Sequence, residues 1–168
     1  GGFTCEFLAQ RQAQVFGIDQ SHSCIDTAKS HAIDSQLYID YQQGFAETLP
    51  YADNFFDVVV CLDVLEHVAD LEKTVAEIQR VLKVDGLFCF DTVNRTFESW
   101  FVMIWLLEDI LKEIPQGIHD WQKFIQPTEL TTLMRSQGLA TIEIKGFNLF
   151  GNNLLDYVFN AWKHLTTR

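Results

Sequence analysis

Positive charge is what this sequence has least of. Twelve Lys and Arg stand against 23 Asp and Glu, a formal charge of −11 at pH 7, and the cations are scattered. Nucleic-acid affinity comes mainly from clustered Lys and Arg neutralising phosphates, so the composition argues against such a partner. Cysteine is sparse as well: Cys5, Cys24, Cys61 and Cys89 form no C-x-x-C pair and no metal-finger spacing. They read as reduced core thiols of a cytosolic protein. Long apolar runs are missing, since the stretch Trp100 to Leu107 falls short of the about 20 residues that span a bilayer. Gly1-Gly2-Phe3 has neither a basic flank nor an apolar run after it, so no signal peptide is expected there. Internal repeats and linkers are also lacking.

What remains is a globular composition. Of 168 residues, 48% are hydrophobic and 21% charged, with mean hydropathy near zero, enough for one domain with a sizeable core. Residues 1–168 therefore read as a single domain.

Apolar periodicity alternates between strand and helix. Helices are expected over 4–12, 21–34, 70–82 and 127–136, the last with Pro127 in its first turn. Strands are expected over Gln14 to Ile18 ending at Asp19, Leu37 to Gln42, Phe55 to Cys61 and Leu87 to Phe90. Ile142 to Lys145 and Tyr157 to Trp162 are expected as the last strands. In helix 70–82, Leu71, Val75, Ile78, Val81 and Leu82 fall on one face. Such alternation predicts an α/β fold, a mostly parallel sheet with helices on both faces. Regularity breaks from Asn94 to Ile125, a Trp- and Phe-rich stretch followed by Pro115-Gln116-Gly117 and His119-Asp120-Trp121.

Parallel sheets bind nucleotides at the carboxyl ends of their strands. Gly1-Gly2 before a helix fits the end of a glycine-rich loop, where a missing side chain lets backbone approach a ligand. Asp19, with Gln20 beside it, closes the next strand, where an acid hydrogen-bonds ribose hydroxyls. A solvated strand-end Asp is the plainer alternative. A nicotinamide dehydrogenase shares both features, but Thr4, Cys5 and Glu6 occupy the place of its third glycine.

Asp63, Glu66 and His67 are spaced i, i+3, i+4. On a helix they share one face, where two carboxylates and an imidazole can ligate magnesium, manganese or zinc. Shaping a pocket without metal is the other use of such a pair. His67 and His119 are the candidate general bases, with Asp120 placed to orient His119. Residues 99–114 read as a cover over an acceptor pocket, as an interfacial helix in peripheral membrane contact, or as a packed helix or homodimer contact.

Four segments in order carry a resemblance: Gly44-Phe45-Ala46-Glu47-Thr48-Leu49-Pro50-Tyr51, Phe56-Asp57-Val58-Val59, Leu62 to Val68, and Arg80-Val81-Leu82-Lys83-Val84-Asp85-Gly86. The chain resembles the class I S-adenosylmethionine-dependent methyltransferases, which implies a Rossmann-like sheet. It implies too that Asp19 holds the ribose, that Phe45, Ala46 and Glu47 line the adenine, and that Leu62 sits beside the cofactor. Many members carry an acid where Phe45 stands, so adenine recognition is expected from backbone groups. The family's first, central strand ends in the glycine loop, and Gly1-Gly2 match only the end of it; that strand is expected to be missing from this chain.

Asp91-Thr92-Val93-Asn94-Arg95, Ser99-Trp100, Gly117-Ile118-His119-Asp120-Trp121 and Phe124 to Leu130 extend the likeness. They resemble the ubiquinone-biosynthesis O-methyltransferases. This implies methylation of a hydroxyl on an apolar aromatic small molecule, use of a divalent cation, association with membranes, and a substrate-covering insertion at about 94–126. Another acceptor (carboxyl, amine or lipid), or an inactive methyltransferase-like binding module, stays open.

Overall fold

Side chains cap the starts of α2 (His22–Asp34) and of several later helices. In the computed structural model, which describes residues 2–146, Ser21 accepts from the amide of Cys24 (3.4 Å) and opens α2. It follows the short α1 (Phe3–Ala9). Asp70 accepts from the amide of Lys73 (3.0 Å) and opens α3 (Leu71–Val81). Caps of this kind each contribute about 1 kcal/mol. Thr96 and Ser99 cap the single turn α4 (Phe97–Ser99), and Gln126 with Glu129 boxes the start of α5 (Pro127–Ser136), where Pro127 has no amide to leave unpaired.

The strands pair in parallel across these helices. β1 (Val15–Asp19) pairs with β2 (Ile39–Gln43), Val15 opposite Ile39, and β3 (Phe56–Cys61) pairs with β4 (Leu82–Phe90). Each pair is joined by a helix, α2 or α3, so the α/β expectation is met. In β4 the register jumps from Leu82 opposite Phe56 to Leu87 opposite Val58. The intervening Asp85, next to Gly86, takes the left-handed backbone (φ 62°) that turns favour.

The four described strands form two parallel two-stranded ladders, β1 with β2 and β3 with β4. One expectation is corrected. Ile142 to Lys145 is not a strand: Ile142 and Ile144 are exposed, and no described strand offers their backbone a partner. Tyr157 to Trp162 lies outside the described residues.

Each ladder has its own core. Ile25, Ala28 and Ala32 of α2 close on Tyr41 of β2, while Val75 of α3 packs with Leu65, Ile125, Leu130 and Met134. The apolar face expected of α3 is the buried one, with Val75 and Val81 fully enclosed. Phe16 of β1 joins the ladders, its ring lying 5.4–5.8 Å from those of Tyr51, Phe55 and Phe56 in edge-on contacts.

The irregular stretch contains a π-helical segment, Trp100–Ile110, and a single 3-10 turn, Trp121–Lys123. Its ends meet where the amide of Ile125 donates to Val93 O (3.1 Å). Val102 and Glu108 point inward, whereas Phe97, Trp105 and Ile110 are exposed.

Candidate active site

All parallel strands end on the same side within a ladder, and the residues expected to hold a nucleotide stand at those ends. Asp19 closes β1 with an exposed side chain whose Oδ1 accepts from the amide of Ser21 (2.8 Å). Gln20 follows it, and its carbonyl accepts from Gln43 Nε2 (3.0 Å), tying the ends of β1 and β2 together. Gly44 follows β2 and donates its amide to Asp19 O (3.1 Å).

Gly2 has φ 91°, a conformation that a side chain disfavours. A Cβ there would also meet the Tyr41 hydroxyl at 2.6 Å. That hydroxyl donates to Gly2 O (3.3 Å), so β2 pins the turn entering α1. Gly2, Cys5, Gly17, Asp19 and Tyr41 line a cavity of about 80 Å³. Burial raises the Cys5 thiol pKa and pushes the Tyr41 phenol above its usual range, so both stay protonated near neutrality. Gly1 lies outside the described residues.

Phe45 presents a ring that is 55% exposed, next to the half-buried Ala46. Glu47 departs from its expected role. Its Oε1 accepts from the amides of Ala69 (2.8 Å) and Asp70 (3.4 Å), so the carboxylate braces the approach to α3. Burial works to raise its pKa, but those amides, its own amide and the Lys73 charge prevail and hold it below the ordinary value.

Leu62 follows β3 directly and is 41% exposed. The helix on which Asp63, Glu66 and His67 would share a face is not there: residues 63–69 are bends and turns, starting from Asp63 at φ 53°. The cause lies in β4's continuation, where Asp91 Oδ1 accepts the Asp63 amide (2.7 Å) and diverts the chain. Glu66 is buried and accepts from Thr92 Oγ1 (3.0 Å), while His67 is exposed. The shared face of Asp63, Glu66 and His67 is thereby lost. Among the described residues no three His, Cys, Asp or Glu side chains cluster as metal ligands, so the expected cation does not fit this set.

The two candidate bases do come together. The rings of His67 and His119 lie 5.7 Å apart, although 52 positions separate them in sequence. His119 is held from behind by Glu108, not by Asp120. His119 Nδ1 and Glu108 Oε1 are 2.6 Å apart, and the His119 amide donates to the same oxygen (2.9 Å). The Gly117 amide donates to Glu108 Oε2 (2.8 Å). Asp120 instead accepts from the amide of Gln122 (3.0 Å) and starts the 3-10 turn. Burial alone would raise the Glu108 pKa, but the Gly117 amide and the ring and amide of His119 outweigh it and hold the carboxyl ionised. Sequence reasoning missed Glu108, although an acid inside an apolar run was its signal.

A family model described as a methyltransferase domain matches residues 1–90. The ubiquinone biosynthesis O-methyltransferase of Bartonella quintana is 38% identical over 143 residues, which cover 85% of this chain and 58% of that protein. The protein of the same name from Pasteurella multocida is 37% identical over 158 residues, covering 88% and 65%. The chain thus spans about three fifths of the length of these relatives.

Among solved structures, the YcgJ protein from Bacillus subtilis superposes with a TM-score of 0.65 at 24% identity, covering 92% of this chain and 68% of its own. A SAM-dependent methyltransferase from Aquifex aeolicus gives 0.64 at 15% identity, covering 84% and 69%. At such identities these two show the fold alone, a Rossmann-like α/β fold. With the family model matched over more than half of its length, the chain belongs to the methyltransferase-domain family.

Proposed function

We propose that the protein transfers a methyl group from S-adenosylmethionine to a hydroxyl of an aromatic quinone precursor. The observation that carries this is the meeting of His67 and His119 beside the strand end where Leu62 stands. The names of the relatives support the acceptor class.

The cofactor fits the residues at the strand ends. Asp19 offers an exposed carboxylate to ribose hydroxyls, and Phe45 an open ring to the purine. Gly2 lines a small cavity together with Asp19. When bound, S-adenosylmethionine supplies an electrophilic methyl on a sulfonium.

The chain's own work is then to make the acceptor oxygen nucleophilic. A phenol with a pKa of about 10 is mostly protonated at neutral pH. His119 is the general base in this reading: it takes the hydroxyl proton as the oxygen attacks, an effect worth about 100-fold or more. His67 borders the same space. Asp63 and Glu66 hold the turn and β4 together, and no step runs through a cation.

The covering insertion at 94–126 gives the acceptor an apolar lid in Trp100–Ile110. Its exposed Phe97, Trp105 and Ile110 support contact with a membrane surface from the outside. Among the described residues no helix is long and apolar enough to cross a membrane.

Calorimetric titration of the complete protein with S-adenosylmethionine tests the reading, followed by transfer of labelled methyl to a prenylated catechol. Asp19→Ala should weaken cofactor binding about tenfold or more, the loss of charge-assisted hydrogen bonds. Failure of the unaltered protein to bind the cofactor would overturn the proposal. Flotation with liposomes, lost in Phe97→Ser with Trp105→Ser, tests the membrane contact; no flotation at all would rule it out.

A further inference from the structure

Glu108 stands in the most apolar segment of the chain, Trp100–Ile110, and only 2% of its side chain is exposed. An ionised carboxylate in such a place is costly unless its oxygens are satisfied. Here both are. Oε2 accepts from the Gly117 amide, and Oε1 accepts from the His119 amide and faces His119 Nδ1 at 2.6 Å. An ionised carboxylate only accepts hydrogen bonds, so Nδ1 must carry the proton in this contact. A neutral imidazole protonated at Nδ1 keeps its lone pair on Nε2.

We propose that Glu108 is the positioning residue of the site: it fixes His119 as the Nδ1–H tautomer, so that Nε2 receives the acceptor's proton. The proposal rests on the O-methyltransferase reading above. In the step, the acceptor O–H bond breaks toward Nε2 while the oxygen's electron pair forms the bond to the methyl carbon. The carbon–sulfur bond breaks, and its electron pair stays on sulfur. His119 becomes an imidazolium, whose charge the Glu108 carboxylate stabilises. The ring's other neighbours, His67 and the edge-on ring of Phe124 (5.9 Å), hold its plane without supplying a carboxylate.

Stapling residues 117–119 to the π-helical segment is the plainer role for Glu108, and it would not specify a tautomer. Nitrogen-15 shifts of the His119 ring separate the two in the complete, unaltered protein. The expected result is a protonated Nδ1 and an unprotonated Nε2; the reverse tautomer overturns the proposal.

Kinetics give the second reading. Glu108→Gln should lower kcat about 100-fold with the acceptor KM and S-adenosylmethionine affinity unchanged. Adding it to His119→Ala should cost nothing further. Full kcat in Glu108→Gln overturns the proposal, and where that variant fails to fold the nitrogen shifts decide alone. A protein that binds cofactor yet methylates no hydroxyl overturns the proposed function instead, a failure the nitrogen shifts do not share.

Discussion

The ring of Tyr41 lies so close over Gly17 that a Cβ at residue 17 would stand 2.4 Å from its Cδ1 and 2.5 Å from its Cε1. Cys5 Sγ would be 3.2 Å away on the other side. Tyr41 is buried and cannot swing out. Gly17→Ala should therefore destabilise the protein by about 1–3 kcal/mol through overpacking, read from urea denaturation. Unchanged stability would mean that β1 and β2 shift apart without cost.

Arg80 ties the turn before β3 to α3. Its guanidinium donates to the carbonyls of Leu49 (3.0 Å) and Tyr51 (2.8 Å) and to the carboxylates of Asp53 and Glu77. Glu77 in turn accepts from the amide of Leu49 (2.8 Å). Arg80→Ala should cost about 2 kcal/mol, since two carbonyls and two carboxylates lose a charged donor at once. Limited proteolysis should then cut first between 49 and 54; an unchanged cleavage pattern would refute the strap.

Glu47 contributes stability that depends on pH. Its folded-state pKa lies below the ordinary glutamate value, so the contribution is complete above that ordinary value. It is lost as the pH falls through the lower folded-state value. Glu47→Gln should flatten stability against pH across this acid window and leave the slope near neutrality alone. Denaturation series at several acid pH values read the difference; parallel curves for the two proteins would contradict it.

The second reader of this fold is the chain itself, and parts of it speak plainly. α3 could be placed from the spacing of Leu71, Val75, Ile78 and Val81, because an apolar stripe is a local signal. The strand ends that carry Asp19 and Leu62 were legible for the same reason. The turn after Leu62 was not. Spacing of i, i+3, i+4 has meaning only on a helix, and Asp91, 28 residues further on, denies one by taking the Asp63 amide. Likewise Asp120, adjacent to His119, looked like its partner. The true partner, 11 residues back, is brought there by a π-helical segment that periodicity does not announce.

Asp70→Ala should weaken the start of α3 by about 1 kcal/mol, because the Lys73 amide loses its acceptor. Hydrogen exchange of the first turn of α3 should quicken while that of β1 and β2 stays the same. Uniform quickening in both ladders would show that they unfold together.

Phe16 gives that last distinction its weight. The ladder that ends in Asp19 and the ladder whose end lies near His119 meet at this ring, set edge-on among Tyr51, Phe55 and Phe56. Edge-on rings interlock against sliding, and Gln42 of β2 donates to the Tyr51 hydroxyl (2.9 Å) to help fix their distance. On the proposed function, methyl donor and acceptor would stand at the ends of different ladders, with these four aromatic rings between the ladders. A misplacement of about 1 Å can slow such a transfer about 100-fold. Trimming Phe16 would alter the rate from a position that touches neither substrate.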